Sequence, residues 1–259
     1  MPAYLQLDLW LSLGTSVGAA LLAALLWRRG LASAYKGFVA YLIAEFVCGM
    51  TLGGGGLFLT QTRQARLFIL MQPLLWCFYV VMVGEIHAKS LSQYRGIARV
   101  GQQVLVYGLI GSIVLSIATV QPDLQANNHD GAVPILYITA AHRVVTGGLT
   151  LFLLLLTIVL NWFPVRTSRN TLVHTTLAFF FFLLMTVAHL YRNLTGKEAT
   201  DQVNHGVMAL GSLCLVAWAA LLRPAGETAQ TEHAVAPADG NWIFEQLEAL
   251  NRALLRVVK

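Results

Sequence analysis

Five of the seven histidines lie inside or at the edges of long apolar runs: His87, His142, His174, His189 and His205. Two carboxylates, Glu45 and Glu85, do the same. An ionisable side chain in hydrocarbon is costly, so each of these residues marks a candidate site. Sorted by depth, Glu45, Glu85, His87 and His174 share one half of the membrane. His142, His189 and His205 share the opposite boundary.

Histidines at matched depths admit two metal chemistries. A pair of b-type haems, one near each leaflet, would take His87 with His174, and His142 or His205 with His189. His174 and His189 are 15 residues apart. On a helix that spacing is ~22 Å along the axis and about 60° around it, a poor match for two ligands facing one interior. The other chemistry is zinc held by His142, His189 and His205, with the fourth position open. A catalytic zinc also wants a carboxylate base, and only Glu198 and Asp201, both in a connecting loop, are near in sequence. Neither HExxH nor HxxxH occurs. The plainer reading is that histidines near helix ends face headgroups or water.

Glu45 is the deepest ionisable group, and no Lys or Arg shares its depth. It is expected to be protonated, hydrogen-bonded to Tyr41 or Gln72, or open to a water-filled cavity, which suits a structural bond and proton-linked transport equally. Glu85 is close enough to the interface to reach it. Gly49 and Gly53 to Gly56 crowd one half of the same run. They imply either close helix–helix contact and a kink, or a broken helix lining a cavity. Pro73 stands at a similar depth in the next run.

These residues must be positioned by spanning helices. Of the 259 residues 57% are hydrophobic and 11% charged, against roughly a quarter charged in a soluble domain. The apolar runs are continuous and do not alternate, which excludes a β-barrel, and helices alone satisfy their own backbone in lipid. Seven runs approach the ~20 residues a span requires, at about 7–27, 37–59, 67–88, 100–120, 135–162, 172–191 and 204–222. The expected architecture is therefore all-α: a polytopic seven-helix bundle over 1–223, a flexible linker over 224–240, and an amphipathic cytoplasmic helix over 241–259. In that tail Ile243, Leu247, Leu250, Leu254 and Val257 step by 4, 3, 4 and 3, a short heptad stripe. Such a stripe suits lying on the inner leaflet, docking on a cytoplasmic partner, or self-association.

Loop charge gives orientation. Arg28, Arg29, Lys36, Lys89, Arg95, Arg99, Arg166, Arg169 and Arg223 fall on one side, and Arg63, Arg66, Arg192 and Lys197 on the other. The positive-inside rule places the N-terminus outside and the C-terminus in the cytoplasm of a cell (plasma or inner) membrane. The net charge of +5 thus records topology and does not imply nucleic-acid binding. Cys48, Cys77 and Cys214 lie in apolar runs without a CxxC, as small core residues do.

No complete catalytic constellation is present, and the last run has no Lys for a retinal Schiff base. The leading expectation is a non-enzymatic sensor or interaction protein. It would bind a ligand from the outer side or the bilayer and pass a helix shift to the tail. The alternatives are a transporter or channel using Glu45 and the glycine-rich second span, and a haem- or metal-binding oxidoreductase using the histidines. The lipid bilayer is the partner implied throughout, with a second copy or a cytoplasmic protein at the C-terminal helix.

Overall fold

The computed structural model describes residues 3–58, 60–92, 133–162, 167–195, 200–228 and 230–231, with isolated positions at 101, 103, 106, 107, 110, 248, 249 and 252. Among the described residues there are six long helices: α1 (Ala3–Arg28), α2 (Lys36–Phe58), α3 (Gln61–Ser90), α4 (Val133–Trp162), α5 (Arg169–Thr195) and α6 (Thr200–Leu221). A two-residue strand β1 (Thr167–Ser168) precedes α5, and a short helix α7 (Ala225–Thr228) and strand β2 (Gln230–Thr231) follow α6. The six long helices are long and apolar enough to cross a membrane. Apart from the two-residue β1–β2 pair and the turns, the described residues are helical, and the protein is a multi-pass membrane protein. The expected fourth span, 100–120, lies outside the described residues except for Gly101, Gln103, Val106, Tyr107 and Ile110, each helical. The tail stripe Ile243, Leu247, Leu250, Leu254 and Val257 also lies outside them.

Each described long helix packs on its chain neighbour, and α6 closes the ring against α1. Across the interior α3 also touches α5. The outer faces are apolar, with Leu21, Leu70, Leu151, Leu155, Phe180 and Leu213 exposed, as a lipid-facing surface requires. Trp10 and Trp27 are exposed near the two ends of α1. Their 17-residue separation is about 25 Å on a helix, close to the spacing of the two interfacial aromatic belts. Inside, Phe38, His174, Phe182 and Trp218 are fully buried.

Lipid is as apolar as leucine, so these helices associate by close packing and hydrogen bonds rather than by escape from water. The glycines of α2 serve the first. A Cβ at Gly49 would collide with the Ser16 hydroxyl, and one at Gly53 would sit 3.5 Å from Leu13 and 3.6 Å from Ser12 Oγ. The α2 helix runs unbroken through Gly53–Gly56 to Phe58. Gly49 and Gly53 therefore permit the close approach of α1, and none of the run breaks the helix. Likewise α3 continues through Pro73.

Helix ends need partners for their orphan backbone groups. Gly30, at φ 71°, closes α1. Its N–H donates to the Trp27 carbonyl (3.0 Å) and that of Leu31 to Leu26 (2.9 Å), the paired bonds of a glycine C-cap. Arg29 then donates to the Ala219 and Leu222 carbonyls at the end of α6, at 2.6 and 2.5 Å. At the same end of the bundle the Glu85 carboxylate accepts the Phe38 N–H (3.1 Å) in the first turn of α2. An anion at a helix N-terminus is favoured by the dipole as well as by the bond. Glu85 is thereby a helix cap supplied from α3.

A pair of substitutions separates packing glycines from tolerated ones. Gly49→Ala should lower the detergent melting midpoint, because overpacking costs about 1–3 kcal/mol. At Gly54 a Cβ would meet nothing within 4 Å. Gly54→Ala should therefore be slightly stabilising, since glycine costs up to ~1 kcal/mol in a helix. Equal behaviour of the two variants would contradict the close α1–α2 contact.

Candidate functional site

Three polar layers are stacked along the bundle. The first joins α3, α4 and α5 at the end where α4 begins. His142 is buried, and its ring centroid lies 4.6 Å from that of His189 at an interplanar angle of 68°. The Trp76 indole N–H donates to His142 Nδ1 (2.8 Å), and Gln72 Nε2 lies 2.7 Å from the same nitrogen. An indole N–H can only donate, so Nδ1 accepts and the neutral ring carries its proton on Nε2. Gln72, one expected partner of Glu45, is engaged here instead. His205 is half-buried in the second turn of α6.

The second layer is Glu45, midway along α2. It borders a cavity of about 140 Å³ between α1, α2, α5 and α6, which Ser12, Thr15, Ser16 and Tyr41 also line. No hydrogen bond reaches its carboxylate among the described residues.

The third layer occupies the end rich in Lys and Arg. His174 is fully buried in an aromatic box, with ring centroids of Phe38, Tyr35 and Trp218 at 4.5, 5.4 and 5.9 Å. Trp218 Nε1 donates to its Nδ1 (3.0 Å), which again leaves the ring proton on Nε2. That Nε2 is buried without a hydrogen-bond partner among the described residues. His87 is buried against Phe152, at 5.3 Å between centroids, and a Cβ at Gly101 would collide with its Nε2.

These contacts bear on the metal expectations. A ligating histidine offers one bare nitrogen and donates from the other. In His142 and His174 the bare nitrogen is already taken by an indole. Two imidazoles on opposite faces of one iron, with metal–nitrogen bonds of ~2.0–2.1 Å, hold their centroids about 6 Å apart. The 4.6 Å contact of His142 with His189 is too short for that. His87 packs on Phe152, whereas His174 packs on Tyr35, Phe38 and Trp218, so among the described residues the two rings have no aromatic neighbour in common. Among the described residues no three His, Cys, Asp or Glu side chains gather to hold a metal ion, and the three cysteines are free.

Beneath the His174 box lies a cluster that sequence reasoning did not single out. The chain leaving α6 turns back through α7, and β2 pairs antiparallel with β1, Thr167 opposite Thr231 and Ser168 opposite Gln230. The first residues of the stretch expected as linker are thus folded against the bundle, and 232–240 lie outside the described residues. Glu227 holds the segment. Its Oε2 accepts from the Tyr35 hydroxyl (2.8 Å) and Asn170 Nδ2 (3.3 Å), and its Oε1 from Lys89 Nζ (3.1 Å). The Lys89 ammonium also lies 3.7 Å from the Tyr35 ring centroid, a cation–π contact. Asn170 is fully buried; it donates to the Arg223 carbonyl (2.7 Å) and accepts its N–H (3.3 Å). A Cβ at Gly226 would collide with the Asn170 amide, so only glycine fits there. Burial pushes the Glu227 carboxyl up, but bonds from Tyr35, Lys89 and Asn170 and the Lys89 charge outweigh it and hold the group below its ordinary value. Burial, with the bond and charge of Glu227, pushes the Tyr35 phenol up, so it remains a donor. The only sequence signal was a lone acid just after the last span on the basic side.

No family model, curated protein or solved structure matches this chain. Its function has to be argued from these layers.

The indole–imidazole bond gives the next test. Trp218→Phe leaves His174 Nδ1 buried without a donor and should cost about 1–3 kcal/mol beyond the lost packing. Adding His174→Phe should return part of that loss in a double-mutant cycle. The purified chain should show no Soret band; one that disappears with His174→Ala would overturn the proton assignment.

Proposed function

We propose that this multi-pass membrane protein is a non-enzymatic sensor that couples the packing of its bundle to its C-terminal tail. The observation that carries this reading is the Glu227 clasp. One carboxylate on the segment leaving α6 is held by Tyr35 of the α1–α2 turn, Lys89 of α3 and Asn170 of α5. A shift of any of these elements changes the hold on residues 223–231, and through them the start of the tail. A ligand acts by favouring one arrangement of the helices over another.

In this reading the basic end faces the cytoplasm. The tail stripe from Ile243 to Val257 is the output, engaging a second copy or a cytoplasmic partner. The transporter or channel reading draws on the Glu45 cavity alone, and the unbroken course of α2 removes one argument for it. The oxidoreductase reading is opposed by the indole donors on His142 and His174.

The clasp has a definite pH sense. A carboxyl held below its ordinary value contributes stability above its unfolded pKa, ~4.3 for Glu, and loses it as pH falls through the folded value. The clasp is therefore closed at neutral pH and opens only in acid. The experiment that tests the function is cross-linking of the tail in native membranes. In a chain with Cys48, Cys77 and Cys214 replaced, Leu250→Cys reports the association of two tails. Glu227→Ala should change the cross-linking rate several-fold while the bundle still folds. An unchanged rate, with deletion of 224–259 equally silent on partners and oligomeric state, would overturn the proposal.

A further inference from the structure

At the basic end of the bundle the outer face of α2 carries a groove that the clasp does not use. It runs from the α1–α2 turn along the first two turns of α2, holds about 520 Å³, and is walled by Trp27, Ser33, Lys36, Val39, Ala40 and Ile43. Gly30 and Ala32 complete the wall, and no Asp or Glu lines it. Lys36, Ala40 and Ile43 are spaced i, i+4 and i+7, so they form one stripe about 10 Å long. The packing face of the same helix is elsewhere, with Phe38, Tyr41 and Leu42 buried. Trp27 and Ile43 are 75% and 52% exposed, so the groove opens outward, toward lipid.

Its polar groups lie at one end and its apolar groups at the other. Ser33 and Lys36 are exposed at the turn, and neither side chain has a hydrogen bond or ion pair among the described residues. Neighbouring charges are differently placed. Arg29 is spent on the Ala219 and Leu222 carbonyls, and Lys89 on Glu227. Glu85 reaches the same turn of α2 and is held there by the Phe38 N–H, on the buried face. Lys36 is therefore left without a counter-charge among the described residues, and the exposed Arg28 adds a second cation next to Trp27 in the chain.

A soluble anion would use the Lys36 end alone, and a neutral hydrocarbon only the remainder. A cation and a hydroxyl above an apolar channel together fit an amphiphile with a negative head and an alkyl chain. Indole and ammonium are the groups that settle at headgroup level, and cations there attract anionic lipid. We infer that this groove binds an anionic glycerophospholipid of the surrounding bilayer. Its phosphate rests on Lys36 and Ser33, and one acyl chain lies against Trp27, Val39, Ala40 and Ile43. Trp27 belongs to α1 and Lys36 to α2, so the lipid bridges the two helices across their turn.

The test is native mass spectrometry of the purified full chain in detergent. It is titrated with dioleoyl phosphatidylglycerol or dioleoyl phosphatidylcholine, which share their chains and differ in head charge. The first phosphatidylglycerol should bind at about a fifth of the concentration that phosphatidylcholine needs, the preference one cation confers near anionic lipid. Lys36→Gln should erase that preference and Lys36→Arg keep it. Lys36 is exposed, so neither substitution threatens the fold. Equal binding of the two lipids overturns the inference, as does a preference that survives Lys36→Gln. Full competition by sn-glycerol 3-phosphate also overturns it, since the site would then read a soluble phosphate and not a lipid. The groove shares no residue with the Glu227 clasp, so either proposal can fail without the other.

Discussion

Hydrocarbon offers no hydrogen-bond partner, and nearly every polar choice in this bundle follows from that constraint. Thr51, Thr146, Thr150, Thr157, Thr175, Thr186 and Ser212 return their hydroxyl protons to backbone carbonyls one turn back. Two of them, Thr150 and Thr186, also meet across α4 and α5 at 3.2 Å. The indoles of Trp76 and Trp218 find acceptors in histidine rings. At the basic end, where helices terminate together, side chains from one helix cap another: Arg29 the end of α6, Glu85 the start of α2, Asn170 the exit from α6. These cross-caps make that end a knitted layer, and the Glu227 clasp belongs to it.

How much of this the sequence discloses depends on whether a feature is local. Spans are local, and the apolar runs locate five of the six described long helices to within four residues at either end and the third to within six. Glycine crowding correctly points to the close α1–α2 contact, although the kink-or-break question needed the backbone. Depth is also legible: His142 and His189 do lie at one level, and His174 does lie toward the other end. Azimuth is not legible, because it depends on which helices adjoin. That is why Gln72 reads as a partner for Glu45 and in fact bonds His142. Arg29 and Lys89 read as topology markers for the same reason, since a charge count cannot see that one caps a helix and the other holds Glu227. A segment rich in Ala, Thr, Pro and Gly reads as linker, and its docking rests on contacts with Asn170 and Tyr35, 57 and 192 residues away in the chain.

The layers divide the bundle by chemistry. His174 sits in an aromatic box and His142 meets His189 edge-on, and in His174 and His142 alike Nδ1 is taken by an indole donor. At the Glu45 cavity the hydroxyls of Thr15 and Ser16 are engaged, Thr15 with Leu11 and Ser212 and Ser16 with Ser12, and the carboxylate is the group that no hydrogen bond reaches among the described residues. The clasp lies apart from both, on a partly exposed ion pair between Lys89 and Glu227. Surface ion pairs alone are worth little. This one gains from the buried amide of Asn170 and the Tyr35 hydroxyl on the same carboxylate.

The most direct measurement of the central claim is hydrogen–deuterium exchange of residues 223–231 in lipid nanodiscs at neutral pH. The clasp predicts slow exchange of the Gly226 and Glu227 amides, which bond the Arg223 and Pro224 carbonyls, and faster exchange after Lys89→Met or Tyr35→Phe with the spanning helices still protected. Exchange as fast in the native chain as in those variants would show that the segment is not fastened, and would contradict the coupling of bundle to tail.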